Sequence, residues 1–238
     1  MSAGPRLVGR VSTSEALVNA LKAKILQGTL PAGTRLTELS LAETHGVSRQ
    51  SIRLAIAELS RRGLLDVRPH KGVWVRDLGV REIEDLYWMR SLLESEAFAH
   101  IAVEPTTWAR LERCVERMAR LPADAAWSEV IDADWSFHSE AVACVGSDRL
   151  RSAHDMLEGE TLLSFMRCTA EDDPSTVAKV HRDLLNVICS GDGAAAVEAL
   201  RLHLESSKRT VLQNRFVGLN SASQHRATLQ RGEEVFDR

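Results

Sequence analysis

Apolar residues in the first quarter of the chain follow helical spacing in three successive segments. The first begins at the capping-box pattern Ser12–Glu15 and ends at Gly28. The second begins at Thr37, which can cap a helix, and ends at His45-Gly46. The third begins after Ser48, and its apolar face consists of Ile52, Ala55, Ile56 and Leu59. The pattern predicts three helices, and the tight turn between the last two is typical of a helix-turn-helix.

The apolar period changes from helical to alternating after Gly63. Residues 64–68 and 73–76 follow a period of two, with Pro69-His70-Lys71-Gly72 between them. This pattern predicts a β-hairpin with a basic tip, placed as a wing directly after the helix pair. Residues 30–36, which connect the first two helices, are rich in turn-forming residues and predict a connector.

From Leu78 the apolar pattern is helical almost throughout, and it predicts no further strand. Breaks at Pro, Gly and Asp residues divide this part into six helices at about 79–102, 106–120, 125–145, 148–169, 175–190 and 193–215. Amphipathic helices with short connections form antiparallel bundles. We therefore predict a mainly α protein, in which a winged helix-turn-helix domain is followed by an all-α bundle. The expected divisions are an arm at 1–11, domains at 12–76 and 77–215, and a polar tail at 216–238.

Charge separates the two predicted domains although the whole chain is nearly neutral. The 238 residues carry a formal net charge of −3, whereas residues 1–76 alone carry 12 Lys/Arg against 5 Asp/Glu. A basic small domain beside an acidic larger one indicates that only the first part binds a polyanion. Neither a long apolar run nor a signal-peptide pattern is present, so we expect a cytoplasmic protein without a membrane partner.

The start of the third helix is the candidate for reading DNA. Its capped end presents Ser48, Arg49, Gln50 and Arg53, and Arg pairs with guanine as Gln pairs with adenine in the major groove. In the wing, Gly72 permits close approach to DNA, and His70 and Lys71 supply donors for phosphates or the minor groove. The alternatives are an ordinary surface helix with scattered charges and a solvated turn lysine.

Four polar residues fall on apolar stripes of the predicted bundle. They are Asp134, His138, His181 and His203, and they come from three helices. Such groups are costly to bury unless they pair or bind a cation, and imidazole with carboxylate suits a divalent transition metal. The alternatives are hydrogen-bonded core histidines and a buried Asp134–His138 pair. We interpret His45, His100, His154 and His225 as ordinary residues.

An arginine and the cysteines complete the candidates in the bundle. Arg90 lies on an apolar stripe, where it could clamp an effector carboxylate or form an internal ion pair with Glu94 one turn later. The spacing leaves both interpretations open. The cysteines are Cys114, Cys144, Cys168 and Cys189, which are far apart in apolar helical contexts. They are interpreted as buried thiols in a reducing compartment.

The first domain resembles the winged-helix domain of GntR-type bacterial transcription regulators. The resemblance is carried by Pro31–Glu38, Leu41–Glu43, Gly46–Arg49, Arg53, Gly63–Leu65 and Gly72–Val75. It implies DNA contacts from Arg35, Ser48, Arg49, Arg53 and Gly72. Two departures are Gln50-Ser51, where Thr-Pro is common in the family, and Leu54, where Glu is common.

The second domain resembles the FCD effector domain of the FadR branch of that family. The resemblance is carried by Leu86–Glu94, Asp134–His138, His181–Leu185, Gly191-Asp192 and Ala199–Leu204. It implies that Asp134, His138, His181 and His203 hold Zn, with Ni, Mn or Fe as alternatives, beside a pocket for a small organic acid.

Together these observations predict a homodimeric, ligand-responsive transcription regulator, with repression the more common mode in the family. Two recognition helices would bind an inverted-repeat operator in double-stranded DNA. The alternatives are a metal-sensing regulator in which the ion is the signal, and a metal-dependent enzyme acting on a small acid. The enzyme is disfavoured because the sequence shows no nucleophile elbow, phosphate loop or general-base candidate beside the ligands, and an enzyme would not need a basic winged helix.

Overall fold

The computed structural model describes residues 13–69, 71–166 and 173–233, with backbone alone for 13, 14 and 215–233. The chain divides into two compact units between Asp77 and Leu78, and each unit is described by itself.

The first unit contains three helices and a small sheet. The helices are α1 (Thr13–Leu26), α2 (Glu38–His45) and α3 (Arg49–Arg61), and the strands are β1 (Arg35–Leu36), β2 (Leu65–Arg68) and β3 (Gly72–Val75). All pairs in the sheet are antiparallel, in the order β1-β3-β2. This arrangement is the predicted winged helix-turn-helix.

The connector before α2 differs from the prediction because part of it is a strand. Arg35 pairs with Trp74 across the sheet and Leu36 pairs with Val73. The hydrogen bonds Gly33 N–Val75 O and Val75 N–Thr34 O, both 2.9 Å, continue the pairing beyond β1. Leu36 is also buried, so the connector gains both ladder hydrogen bonds and apolar burial on β3. Two residues are too short for an alternating pattern to be visible in the sequence.

The start of α3 is fixed by local hydrogen bonds and by the core beneath it. The Ser48 hydroxyl accepts a hydrogen bond from the backbone N–H of Ser51 at 3.1 Å, as expected for an N-cap. Gly46 ends α2 in the left-handed region at φ 63°, where glycine has no steric penalty. The side of α3 that faces the core buries Ile52, Ala55, Ile56 and Leu59. The opposite side therefore remains in solvent.

The second unit is a helical bundle. Its helices are α4 (Val80–Ala102), α5 (Trp108–Ala119), α6 (Trp127–Cys144), α7 (Asp148–Asp155), α8 (Glu158–Phe165), α9 (Pro174–Ile188) and α10 (Gly193–Glu233). A 3-10 turn at Pro105–Thr107 precedes α5. None of the described helices is long and apolar enough to cross a membrane. The predicted mainly α fold is confirmed.

Three details of the bundle differ from the sequence predictions. The single helix expected at 148–169 is two helices, because a bend at Met156-Leu157 lets α7 bury His154 while α8 buries Leu162. The last helix continues to Glu233, well beyond residue 215. The cysteines are less buried than expected, since Cys114 and Cys144 are half-buried and Cys189 is exposed. Cys168 lies outside the described residues.

Candidate DNA-binding surface and metal centre

The predicted base-reading residues lie together at the exposed start of α3. Ser48, Arg49, Gln50 and Arg53 are all exposed. Glu38 of α2 accepts a hydrogen bond from Arg53 Nε at 2.9 Å and another from Arg49 Nη2 at 3.4 Å. Exposed ion pairs contribute about 0–1 kcal/mol, so DNA phosphates or bases can replace Glu38 at little cost. The Glu38 carboxylate thus keeps both arginines beside the start of α3, and both arginines remain available for contacts with DNA.

The connector and the wing meet in the small sheet, where β1 pairs with β3. The guanidinium of Arg35 lies over the Trp74 ring at 5.5 Å, and that of Arg68 lies over it at 4.9 Å. Gly72 has φ 113°, and a Cβ at this position would lie 3.3 Å from Arg35 Nε. Gly72 therefore provides the backbone conformation and the space that Arg35 requires. Lys71 is exposed at the wing, and His70 lies outside the described residues.

The second unit brings together the four candidate metal ligands. Asp134 and His138 come from α6, His181 from α9 and His203 from α10. One side-chain donor atom from each lies within 4.8 Å of all the others. His138 and His181 are buried, and the other two are half-buried. Four nitrogen and oxygen donors from three helices form a suitable ligand set for a divalent transition metal.

In each of the two buried histidines, a contact made by the Nδ1 atom sets the orientation of the ring and so the direction in which Nε2 points. His181 Nδ1 lies 2.8 Å from the carbonyl oxygen of Val177, and His138 Nδ1 lies 2.7 Å from Glu94 Oε2, although off hydrogen-bond alignment. The Nε2 atoms of both rings are buried and make no aligned hydrogen bond to any described group. His181 Nε2 instead lies 3.2 Å from Asp134 Oδ1. Buried nitrogens without hydrogen bonds, held toward a shared carboxylate, fit a metal centre.

The protonation states also suit metal ligation. Burial lowers the pKa of His138, against the opposing effect of Glu94. Burial lowers the pKa of His203 well below its usual value, and the neighbouring His138 and His181 lower it further. Burial disfavours ionisation of Asp134, yet the contact with His181 keeps the pKa of this carboxyl below its usual range. Neutral imidazoles beside an ionised carboxylate are the forms that coordinate metals.

Glu94 contacts one of the candidate ligands, His138, and the sequence interpretation considered it only as an ion-pair partner of Arg90. Its carboxylate is fully buried and lies 2.7 Å from Arg90 Nε, 2.7 Å from His138 Nδ1 and 3.3 Å from His154 Nε2. His154 stacks on Trp135 with the ring centroids 4.3 Å apart. Burial alone would raise the pKa of Glu94, but Arg90 and His138 hold it well below its usual value. The sequence interpretation treated His154 as an ordinary residue, and the structure places it in the core in contact with Glu94.

A cavity of about 720 Å³ borders the ligand cluster. Asp134, His181 and His203 are part of its lining, and α6, α8, α9 and α10 supply the rest. Arg90 is absent from the described residues of this lining, because it lies in the core with Glu94. The internal ion pair considered for Arg90 is therefore present, and its contact with an effector stays a prediction.

Comparisons with known proteins identify the domain family of each unit. The family described as "Bacterial regulatory proteins, gntR family" matches residues 13–75, and the FCD domain matches residues 85–206. The chain belongs to the GntR family and carries an FCD domain. GntR-family proteins are transcription regulators that bind operator DNA and effector ligands, so this member is a DNA-binding regulator and not an enzyme.

Relatives of this GntR regulator match it along most of their length. The "Probable D-xylose utilization operon transcriptional repressor" of Paenarthrobacter nicotinovorans is 27% identical over 206 residues, covering 86% of this chain and 91% of the relative. LutR of Bacillus subtilis is 27% identical, and the match covers 76% of this chain and 92% of LutR. The crystal structure of a GntR transcriptional regulator from Rhodococcus sp. RHA1 has a TM-score of 0.72 at 24% identity. The match covers 85% of this chain and 98% of that chain. At that identity the structural likeness supports the fold alone.

The buried Arg90–Glu94 pair leads to a stability prediction for this GntR protein. The side chains of Arg90 and Glu94 are 1% and 0% exposed, so Arg90→Ala would leave a buried carboxylate without its main counter-charge. We expect a loss of about 3–5 kcal/mol in the free energy of unfolding. Urea denaturation followed by circular dichroism measures this loss.

The matched control is Arg120→Ala. Arg120 makes the same i,i+4 ion pair with Glu116 but is 78% exposed, so its loss should cost less than about 1 kcal/mol. Equal losses for the two variants would contradict the importance of burial. If folded Arg90→Ala protein, or Arg90→Lys in its place, loses effector response more than DNA affinity, the effector contact is supported as well.

Proposed function

We propose that this protein is a homodimeric repressor that releases an inverted-repeat operator when a small carboxylate binds in its FCD cavity. The observation that carries the proposal is the position of Asp134, His181 and His203, which belong both to the ligand cluster and to the cavity lining. Two relatives whose names describe repressors, from Paenarthrobacter nicotinovorans and Escherichia coli, support the sign of regulation.

The DNA-binding half would act through the start of α3 and the wing. Arg49, Gln50 and Arg53 would reach base edges, while Ser48, Arg35, Lys71 and the Gly72 backbone would set the register on phosphates. His70 would be a further wing contact. With two copies related by a two-fold axis, these groups would read the two half-sites of an inverted repeat.

The effector half would depend on a divalent metal, with Zn the first choice for this ligand set. Asp134, His138, His181 and His203 would hold the ion, which would supply positive charge for a carboxylate. The residues of this chain would do the rest: Glu94 and Val177 orient two of the histidines, and the cavity walls enclose the remainder of the acid. Effector binding would lower DNA affinity through the segment at 76–80 that connects the two units.

Operator affinity in three states of the protein tests this proposal. Operator DNA would be titrated at one fixed salt concentration with three forms of the protein. These are the chelator-treated protein, the Zn-loaded protein, and the Zn-loaded protein in the presence of each acid from a panel of small organic acids. We expect at least one acid to weaken operator binding by roughly 10-fold or more, and only in the metal-loaded protein. A panel that leaves operator affinity unchanged would contradict effector control.

The same experiment separates the rival in which the metal itself is the signal. This rival is compatible with the compact four-residue cluster, which would supply four donors to an ion without an organic ligand. It predicts a large change of operator affinity between chelated and Zn-loaded protein before any acid is added. A structural or ligand-anchoring metal predicts a change that requires the acid.

A further inference from the structure

The small sheet carries one aromatic and two cationic side chains on a single face. Trp74 lies on the central strand β3, Arg35 pairs with it from β1, and Arg68 comes from β2 on the other side. The guanidinium carbons of Arg35 and Arg68 lie 5.5 and 4.9 Å from the centroid of the indole ring. Two cations from the outer strands therefore contact one aromatic ring on the central strand.

The charge on this face is mainly positive. Arg68 Nε lies 2.6 Å from Asp66 Oδ2, and the two side chains are 53% and 41% exposed. Arg35 is exposed and pairs with no carboxylate in the part of the chain that the structure describes. Lys71 adds an exposed charge at the turn between β2 and β3. The face is thus open to solvent and complementary to a polyanion.

The contact with Trp74 gives the two arginines a defined position. An arginine in solvent samples many rotamers and loses this freedom when it binds a ligand, whereas a guanidinium held against an indole has already lost part of it. A guanidinium that contacts a ring through its flat face still directs N–H groups outward. These donors can reach a phosphate oxygen while the side chain stays in place.

From this geometry we infer that Arg68 contacts backbone phosphates of DNA, and that Trp74 is a positioning residue that holds Arg35 and Arg68 for this contact. The inference rests on the DNA-binding half of the proposed function and adds Arg68 and Trp74 to its contacts. Asp66 holds Arg68 in the free protein and is exchanged for a phosphate when DNA binds. Phosphate contacts carry no sequence information, so they strengthen binding to operator and unrelated DNA alike.

Arg68→Ala separates phosphate binding from base reading. The full-length protein would be titrated by fluorescence anisotropy with an operator selected from a random DNA library and with scrambled DNA, at several salt concentrations. We expect the affinity for both DNAs to fall by a similar factor, roughly 5-fold or more, and the salt slope to fall by about one per protomer bound.

The matched control for Arg68→Ala is Arg151→Ala. Arg151 belongs to α7 in the second unit, is 55% exposed and pairs with Asp148, much as Arg68 pairs with Asp66. It therefore removes an equally exposed, carboxylate-paired arginine outside the sheet. We expect its DNA affinity and salt slope to equal those of the wild-type protein.

Neutral phosphates in the operator locate the contact. Methylphosphonate at one position at a time removes the charge of a single phosphate without changing any base. At the phosphate that Arg68 contacts, this change should weaken binding of the wild-type protein and have little further effect on Arg68→Ala. At other phosphates its effect should be the same for both proteins.

Variants of Trp74 test the positioning role. Trp74→Leu should weaken binding to both DNAs about 2- to 5-fold, whereas Trp74→Phe, which keeps an aromatic face, should retain most of the affinity. The loss caused by Arg68→Ala should be smaller in the Trp74→Leu background, because the arginine is no longer held in place. Circular dichroism and thermal unfolding establish that each variant is folded.

Asp66→Asn tests the exchange of partners. It removes the carboxylate that competes with phosphate for Arg68, so affinity for both DNAs should increase, by less than about 5-fold because the pair is exposed. A loss of affinity in this variant would contradict the exchange, since Asp66 would then orient Arg68 for DNA.

The outcomes distinguish this inference from the proposed function. Unchanged affinity and salt slope in Arg68→Ala would overturn it and leave the cluster as a structural contact. A loss confined to the operator would also overturn it, because Arg68 would then read bases. If the wild-type protein selected no operator, the proposed function would fail, while the effect of Arg68→Ala on unrelated DNA would still decide the inference.

Discussion

Arg49→Ala is expected to remove sequence-specific operator binding while leaving the fold intact. The side chain is exposed at the first residue of α3, and its ion pair with the half-buried Glu38 has an N–O distance of 3.4 Å. A bidentate arginine–base contact contributes about 1–3 kcal/mol of discrimination in each half-site. Because a two-fold symmetric complex would lose this contact twice, specific affinity should fall to near the non-specific level.

Fluorescence anisotropy with operator and scrambled DNA at several salt concentrations measures both effects. Arg61→Ala is the matched control, because Arg61 is an exposed arginine in the last turn of the same helix and pairs with Glu58. We expect the control to retain discrimination between the two DNAs. Retained discrimination in Arg49→Ala would show that other side chains read the operator, with Gln50 and Arg53 the next to test.

The variant Glu38→Ala tests what the acidic partner of Arg49 and Arg53 contributes to DNA binding. It removes the carboxylate that holds Arg49 and Arg53 without changing either arginine. Since an exposed pair is weak, DNA affinity should change little or increase, by less than about 5-fold. A large loss in this variant would mean that Glu38 orients the arginines for base contact.

His138→Ala is expected to abolish stoichiometric metal binding. The ring is fully buried, and one of its nitrogens belongs to the four-donor cluster whose atoms lie within 4.8 Å of one another. Removing a nitrogen ligand leaves three donors and a space in the core, so metal affinity should fall by more than about 100-fold. Metal analysis after dialysis, and competition with a chromophoric chelator, measure content and affinity separately.

Two further variants make this experiment specific to the cluster. Glu94→Gln keeps the shape of the side chain but weakens its hold on His138 Nδ1, so affinity should fall by about 10- to 100-fold. His100→Ala removes an exposed histidine of α4 and should leave metal content unchanged. Wild-type metal content and affinity in His138→Ala would return this residue to the alternative of a core histidine.

Most of the local structure follows from the sequence because its signals are short-range. The Ser48 cap, the Gly46 turn and the apolar face of α3 each depend on residues within about two helical turns, and all occur in the structure as predicted. The elements that the sequence misplaced depend on distant partners. β1 exists because Trp74 and Val73 pair with it, and the bend between α7 and α8 directs His154 toward Glu94, 60 residues away.

In the candidate metal centre, too, part of the arrangement follows from the sequence and part is set by the tertiary structure. Helical spacing alone placed Asp134, His138, His181 and His203 on inward faces, because a one-dimensional period reveals which side of a helix is buried. It could not show which nitrogen of each ring faces the others, since this is set by Glu94 for His138 and by Val177 for His181. Nor could it choose between the two interpretations of Arg90, which the packing of α4 against its neighbours places beside Glu94.

The start of α3 and the ligand cluster show what the sequence determines and what it leaves to the tertiary structure. The sequence by itself determined a capped helix with an exposed basic end, the basic wing after it, and four polar residues on the apolar faces of a separate acidic bundle. Only the tertiary structure decided that Glu38 holds Arg49 and Arg53, that Glu94 joins Arg90, His138 and His154, and that a cavity borders the ligand cluster. The reason is physical: helical period and capping are encoded within a few residues, whereas ion-pair partners and cavities arise from side chains far apart in the chain.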